Sequence, residues 1–263
     1  MEYQGLAVPL SAAGLEAAAG QLDVEVPAIW AVLTVETSGA GFLPDRRPKI
    51  LFERHKFHAF TGGRFAAVAP DLSQPTAGGY GEGGAQQYDR LQRAAALDDT
   101  GALRSASWGL GQVMGFHAER VGFADVQGMV AGFCEGEDRQ LAAMMSFVRQ
   151  AGLAKALRQG DWRDFAFGYN GPDFERNRYD AKLRAAHARY QVGPLPDLRV
   201  RWTQMALTFA GFSGVGAIDG WYGTNTQKAL MRFQRDDGLE ESGRPDEPTV
   251  ARLAQAMGWP VPE

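Results

Sequence analysis

Between Gln191 and Asp197 the chain reads QVGPLPD, a glycine and two prolines set between one long helical pattern and the start of another. Proline lacks the backbone N–H that a helix interior needs and clashes with the preceding turn, so neither helix can run through this stretch. The 263 residues are thereby committed to two units, 1–190 and 198–263, with 191–197 as linker. The first is large enough for a substantial core, whereas the second is near the size at which a single core becomes marginal.

The larger unit reads as mainly α with a minor sheet. A short helix begins near Ser11, and a second carries Pro27 in its first turn, where a missing N–H is tolerated. On that second helix Ile29, Val32, Leu33 and Glu36 recur at i, i+3, i+4 and i+7, which puts a carboxylate on the apolar face. Ser38-Gly39-Ala40-Gly41 ends it, and Lys49–Glu53 is a candidate strand. The Gly- and Pro-rich stretch 61–84 is a long loop of the kind that can wall a cleft. Further helical patterns cover Gln86–Leu97, Asp125–Phe133, Glu135–Gln150, Asp161–Asn170 and Asp173–Tyr190, with Asp161 as an N-cap and Gly171-Pro172 as a stop. The smaller unit shows three helical patterns and is predicted to be a three-helix bundle. In it Thr224 and Gln227 are placed to form a capping box, and Pro248 suits the first turn of the last helix.

A net charge of −4, with Lys and Arg scattered along the chain, leaves no electrostatic footprint for nucleic acid or for stable association with an anionic membrane. About 18 uninterrupted apolar residues never occur, and the N-terminus lacks a basic start followed by an apolar core, so neither an ordinary transmembrane helix nor a secretion signal is expected. The single cysteine, Cys134, cannot form an intramolecular disulfide and reads as a small buried side chain. His55 and His58 are three apart, but neither they nor His117 and His187 have a Cys or HExxH companion. No metal and no cofactor are expected.

Glu36 is the leading candidate for chemistry. A carboxyl on an apolar stripe loses hydration when charged, so its pKa rises and it can hold a proton near neutral pH, as a general acid must. Spacing alone favours a solvated or hydrogen-bonded helix terminus, and the surrounding segments shift the reading toward catalysis. They are AVLTVETSGAGF around Glu36, RPKILFERHKFH at 47–58, SASWGLGQVMGF at 105–116 and FAFGYNGPDFERNRYDAKL at 165–183. Over about residues 10–190 they make the chain resemble the phage-type N-acetylmuramidases of the lysozyme superfamily, which also holds goose-type lysozymes and soluble lytic transglycosylases.

The resemblance implies an α+β lysozyme-like catalytic domain with Glu36 as its acid. Ser107-Trp108-Gly109-Leu110-Gly111-Gln112 resembles the superfamily's glycine, hydrophobe, glutamine turn, in which the backbone and Gln112 face the sugar. Tyr169-Asn170 resembles its aromatic-Asn pair, which can hydrogen-bond the acid and an N-acetyl group. Trp108 and Phe116 are either core or sugar-stacking residues, with core favoured for Phe116. Glu53 is the first choice for a second carboxylate and Asp45 the second, although either could pair with Arg46, Arg47 or Arg54 instead. A separation from Glu36 of ~5–5.5 Å would imply a retaining mechanism and ~6.5–9.5 Å an inverting one. Two positions depart from the family pattern: Gly111 stands where relatives often carry a larger apolar residue, and Arg46 replaces an expected glycine.

The smaller unit resembles the three-helix peptidoglycan-binding domain of many wall hydrolases, through Val200, Gln204, Leu207, the Asp219-Gly220-Trp221-Tyr222-Gly223 turn, Thr226, Leu230, Phe233-Gln234, Thr249 and Leu253. Most of these fit core or turn positions. Asp219, Trp221, Tyr222, Thr226 and Gln234 are the candidates to touch ligand, because aromatic faces and fixed polar groups suit sugar-peptide recognition. Together the two resemblances imply a monomeric endolysin that cleaves the β-1,4 bond between N-acetylmuramic acid and N-acetylglucosamine. It would be made in the host cytoplasm and reach the periplasmic wall after holin-type release. The rival readings are a lytic transglycosylase forming 1,6-anhydro products and a non-catalytic wall-binding adaptor.

Overall fold

The computed structural model describes residues 3–37 and 39–262; Ser38, expected among the residues that end the second helix, lies outside them. Helix α1 (Ala12–Leu22) is capped by Ser11, whose hydroxyl accepts the Gly14 N–H at 2.9 Å. Helix α2 (Val26–Glu36) has Pro27 in its first turn and buries Ala28 to Leu33 without interruption. It is therefore a central helix and not a surface one with a single apolar stripe. Thr37 leaves the helical region and ends it with Glu36 as the last helical residue.

Strand β1 (Ile50–Phe52) follows, then α3 (Arg54–Phe60), α4 (Gln86–Leu97) and α5 (Asp99–Arg104). Strands β2 (Ala106–Trp108) and β3 (Val113–Met114) complete an antiparallel sheet in the order β1-β2-β3. The register sets Leu51 opposite Ser107, and Ser107 opposite Met114. Helices α6 (Val126–Glu135) and α7 (Glu137–Gln150) meet at Gly136. The sequence pattern had α7 starting at Glu135, but Gly136 lies against the backbone of Val8, where a Cβ would come within 2.9 Å of the Val8 carbonyl oxygen.

After α8 (Ala154–Gln159), Asp161 caps α9 (Trp162–Asn170), and Gly171 ends it with φ 80°. The helix expected from Asp173 begins only at Tyr179, as α10 (Tyr179–Val192), because residues 172–177 form a 3-10 turn and Arg178 adopts φ 54°. Helix α10 packs along α2. The core of this unit is built from Phe52, Phe57, Tyr88, Trp108, Phe133 and Phe165.

The smaller unit is the expected bundle, α11 (Leu198–Phe209), α12 (Thr224–Asp236) and α13 (Glu247–Met257). The expected capping box is not formed: Gly223 occupies the N-cap of α12, and Thr224 is already helical. Asp246 caps α13 by accepting the Thr249 N–H at 3.1 Å.

The two units share a core. Ala7, Ala40 and Phe42 of the larger unit pack with Trp202, Leu230 and Leu253 of the smaller. Trp259 donates its indole N–H to the Leu6 carbonyl at 2.6 Å. Glu137 and Arg201 are paired at the centre of the junction, and both are almost wholly buried. Arg46, standing where a glycine was expected, holds a left-handed φ of 67° and spends its side chain on the smaller unit. It donates to the Met257 carbonyl at 3.3 Å and lies over the rings of Phe209 and Trp259. Among the described residues no single helix is long and apolar enough to cross a membrane.

Candidate active site

The C-terminal end of α2 and the turn between β2 and β3 face the C-terminal end of α9 across a cavity of about 340 Å³. Glu36, Gln112, Tyr169 and Asn170 all line it, so three elements far apart in sequence bring four of the expected residues together. Glu36 is half-buried, and the Asn170 side-chain N–H donates to its Oε1 at 2.9 Å. Burial pushes the Glu36 carboxyl above its ordinary value, while the Asn170 hydrogen bond and the Lys182 charge pull the other way and do not overcome it. The electronegative end of α2 works in the same direction as burial.

Tyr169 does not bond the acid directly. Its hydroxyl donates to the Gly111 carbonyl at 3.2 Å, its ring stacks on Phe165, and burial together with the nearby Glu36 charge raises its pKa. Gln112 sits at a left-handed φ of 48°, which turns its side chain back onto its own loop. Its amide donates to the Gly109 carbonyl at 2.8 Å and the Lys49 carbonyl at 3.2 Å, and its Oε1 accepts the Ser107 hydroxyl at 2.9 Å. Ser107 is thus a buried holder of Gln112 and does not line the cavity. Gly111 is small for a local reason: Met144 of α7 fills the space a side chain would take, and a Cβ would meet its Cγ at 2.6 Å. Trp108 is core, fully buried, with its indole N–H on the Leu103 carbonyl.

The two candidates for a second carboxylate are placed differently. Glu53 continues β1, its N–H on the Ser105 carbonyl, and strand alternation puts it on the sheet face that carries Leu51, Ser107 and the cavity-lining Met114. Its carboxylate lies 3.3 Å from His55 Nε2. Asp45 is exposed and held by Arg47, whose Nε and Nη2 reach the same oxygen at 2.9 and 2.6 Å. Neither lines the Glu36 cavity, nor does the 61–84 loop, which is instead tied to α4 through Gln87 and Arg90.

His117, Phe147 and Tyr179 also line the cavity, and sequence reasoning had not placed them there. Phe116, His117, Phe147 and Tyr169 form a continuous run of ring contacts, with centroids 4.2, 5.2 and 6.0 Å apart. Burial, then the charges of Arg120 and Lys56, hold His117 below its ordinary pKa. The other histidines do not converge: His58 meets Ser73 at 3.1 Å, and His187 packs on Trp162. Among the described residues no group of three or more His, Cys, Asp or Glu could hold a metal ion. Burial pushes the Cys134 thiol up to about 12.

In the smaller unit the five candidates divide. Thr226 and Gln234 are buried, and their bonds run inward, which corrects the expectation that they reach ligand. The Gln204 amide donates to Thr226 Oγ1 at 3.2 Å, and its Oε1 accepts the N–H groups of Asp219 and Gly220. Gln234 repeats that design on α12, donating to Thr249 Oγ1 at 2.9 Å and accepting the Gly243 N–H at 2.8 Å. Each glutamine clamps a turn whose glycine has positive φ. Tyr222 is exposed, whereas Asp219 and Trp221 face the larger unit, with Arg189 of α10 over the Trp221 ring at 4.6 Å.

Comparison with known proteins agrees with this geometry. The N-acetylmuramidase family model matches residues 25–191, and a peptidoglycan binding domain family matches residues 197–253. No curated protein matches the chain. Among solved structures, the crystal structure of the Burkholderia AP3 phage endolysin is similar, with 41% identity, a TM-score of 0.65, and coverage of 68% of this chain and 69% of that one. With the family match spanning more than half its length, and with Glu36 and Asn170 joined in a cavity at the end of a buried helix, the chain belongs to the N-acetylmuramidase family.

Proposed function

We propose that this protein is an endolysin that hydrolyses the β-1,4 bond between N-acetylmuramic acid and N-acetylglucosamine in peptidoglycan. The observation that carries the reading is Glu36, half-buried on a cavity wall, with burial favouring its protonated form and Asn170 fixing one oxygen. Glu36 gives its proton to the glycosidic oxygen as the bond breaks. Gln112, Tyr169 and Asn170 hold the glycan, and Ser107 holds Gln112. Glu53 assists water or steadies the positive sugar in preference to Asp45, whose carboxylate is engaged by Arg47.

Residues 1–190 act as the catalytic unit, 191–197 as the linker, and 198–263 as the wall-binding unit, with Asp219, Trp221 and Tyr222 as its contact residues. The enzyme works as a monomer without a cofactor, and binds neither nucleic acid nor membrane stably. Likeness to a phage endolysin supports synthesis in a host cytoplasm and holin-type release to the periplasmic wall.

A second reading has one observation in its favour. Glu36 is the single carboxylate lining the cavity among the described residues, which also suits a transglycosylase that uses the muramic acid's own hydroxyl in place of water. Mass spectrometry of digested wall separates the two. Reducing N-acetylmuramic acid ends are expected, and 1,6-anhydro ends would assign the chain to the transglycosylases.

The pH profile tests the acid. Activity requires the proton on Glu36, so kcat/KM is expected to fall as pH rises through its raised pKa. Asn170→Ala and Lys182→Met each remove a group that favours the carboxylate, so each should move this alkaline limb to higher pH. The Lys182→Met shift should shrink in high salt, because that side chain is exposed. A limb that moves to lower pH would contradict the assignment.

A further inference from the structure

The end of α2 and the turn after β2 have a second side. There a cavity of about 360 Å³ lies between the two units, lined by residues that include Thr34, Thr37, Leu110, Arg189, Asp219 and Trp221. This is within the ~300–1,000 Å³ typical of small-ligand sites. Thr37 follows Glu36 directly in the chain, and Leu110 precedes Gly111, so the interdomain cavity and the acid's cavity back onto the same two pieces of chain.

Besides Arg201, which Glu137 neutralises, the interdomain cavity carries two opposite charges that are not paired with each other. The Arg189 guanidinium carbon lies 4.6 Å from the centroid of the Trp221 ring, and the group has no carboxylate or hydrogen-bond partner among the described residues. Asp219 uses Oδ1 to accept the Trp221 N–H at 2.9 Å and the Gln204 amide at 3.2 Å, while Oδ2 has no partner there. Without a partner of its own, the guanidinium is available for a carboxylate, and the fixed turn holds Asp219 ready for an ammonium group. The wall between them offers threonine oxygens, with Thr34 Oγ1 2.8 Å from the Tyr190 hydroxyl.

A ligand that engages both groups carries a carboxylate and an ammonium on one partly apolar frame. Muramic acid sugars bear such a frame, since the peptide branching from them has free carboxylates and the amino group of a diamino acid. We propose that the interdomain cavity binds this peptide arm, carboxylate on Arg189 and ammonium on Asp219, while the glycan that bears it lies against Glu36. The assignment rests on the muramidase reading and names the part of the substrate that reading leaves unplaced. It also gives the docked junction a purpose: the smaller unit completes a substrate site and does more than tether the enzyme.

The test compares full-length protein on intact wall and on glycan strands stripped of peptide by an amidase. Wild type is expected to favour peptide-bearing strands by about tenfold in kcat/KM, the size of one charge-assisted contact. Arg189→Glu should bring that ratio close to one, and Arg189→Lys should restore part of it, with thermal melts confirming that both variants fold. A ratio that Arg189→Glu leaves unchanged overturns the peptide site, while cleavage of stripped strands would still uphold the muramidase reading. If wild type cleaves neither substrate, both fail. Titration with the free tetrapeptide should shift the Trp221 indole N–H resonance in wild type and not in Arg189→Glu; no shift in wild type counts against the site.

Discussion

Replacing Glu36 by glutamine is expected to abolish wall lysis, with kcat falling by about 10²–10⁴-fold, the usual worth of a positioned general acid. Glutamine keeps the shape and can still meet Asn170, but has no proton to give to the leaving oxygen. Pull-down on insoluble wall should show binding retained. Stability should move in the opposite sense from activity. The folded-state pKa of Glu36 lies above its ordinary value of 4.5, so its favourable contribution to folding is full below that value and is lost as pH rises through the folded pKa. At neutral pH the variant should therefore melt no lower than wild type, and any advantage should vanish in acid. Full lysis by the glutamine variant would remove Glu36 from the mechanism.

The largest expected loss of stability comes from Glu137→Gln, at about 3–5 kcal/mol, the cost of leaving a buried partner charge uncompensated. Glu137 bonds in four directions: Oε2 accepts the Leu10 N–H at 2.9 Å and Arg201 Nη1, and Oε1 accepts the Gly41 N–H at 2.7 Å and Arg201 Nη2 at 2.9 Å. One carboxylate thus ties the N-terminal segment, the stretch after α2, the start of α7 and the first helix of the smaller unit. A drop in Tm of roughly 6–20 °C is expected for a chain of this size. Activity on insoluble wall should fall with it, as the docked junction loosens beside the cleft. Replacing both partners by methionine should recover only part of the loss, because the Leu10 and Gly41 N–H groups would remain unpaired.

The pH dependence of this pair has its own sign. Burial alone would push the Glu137 carboxyl up, but Arg201 and the two backbone N–H groups hold it below its ordinary 4.5. Its contribution is therefore present above that value and lost as pH falls through the folded pKa. The Tm gap between wild type and Glu137→Gln should narrow as pH drops below about 4.5. A gap that stays constant down to pH 2 would mean the carboxylate is not what stabilises the junction.

Much of the site was legible before any coordinates. Pro27 and the apolar spacing up to Glu36 specify a helix and the residue at its end, because a local period of 3.6 depends only on the chain itself. The Gly and Pro signals likewise marked the end of α9 and a break before α11, since backbone restrictions act on a few adjacent residues, although α10 runs on to Val192, two residues into the expected linker. Helices α3, α5 and α8 and the two-residue β3 did not announce themselves. Six or seven residues are too few to show a period, and such pieces are held by the core they cover. The placement of Thr226, Gln234 and Trp221 was equally hidden: a polar or aromatic residue in a turn looks the same whether it faces solvent, its own interior or a neighbouring unit.

The sequence by itself therefore determined the two-unit plan, the second helix and the carboxyl group at its tip, because each follows from periodicity or from backbone chemistry within one segment. Tertiary structure alone decided that the units dock through Glu137 and Arg201, 64 positions apart, and that Asp219 and Trp221 turn toward the catalytic unit. Those outcomes hang on desolvation and charge pairing between distant segments, which become defined only once the chain has closed on itself.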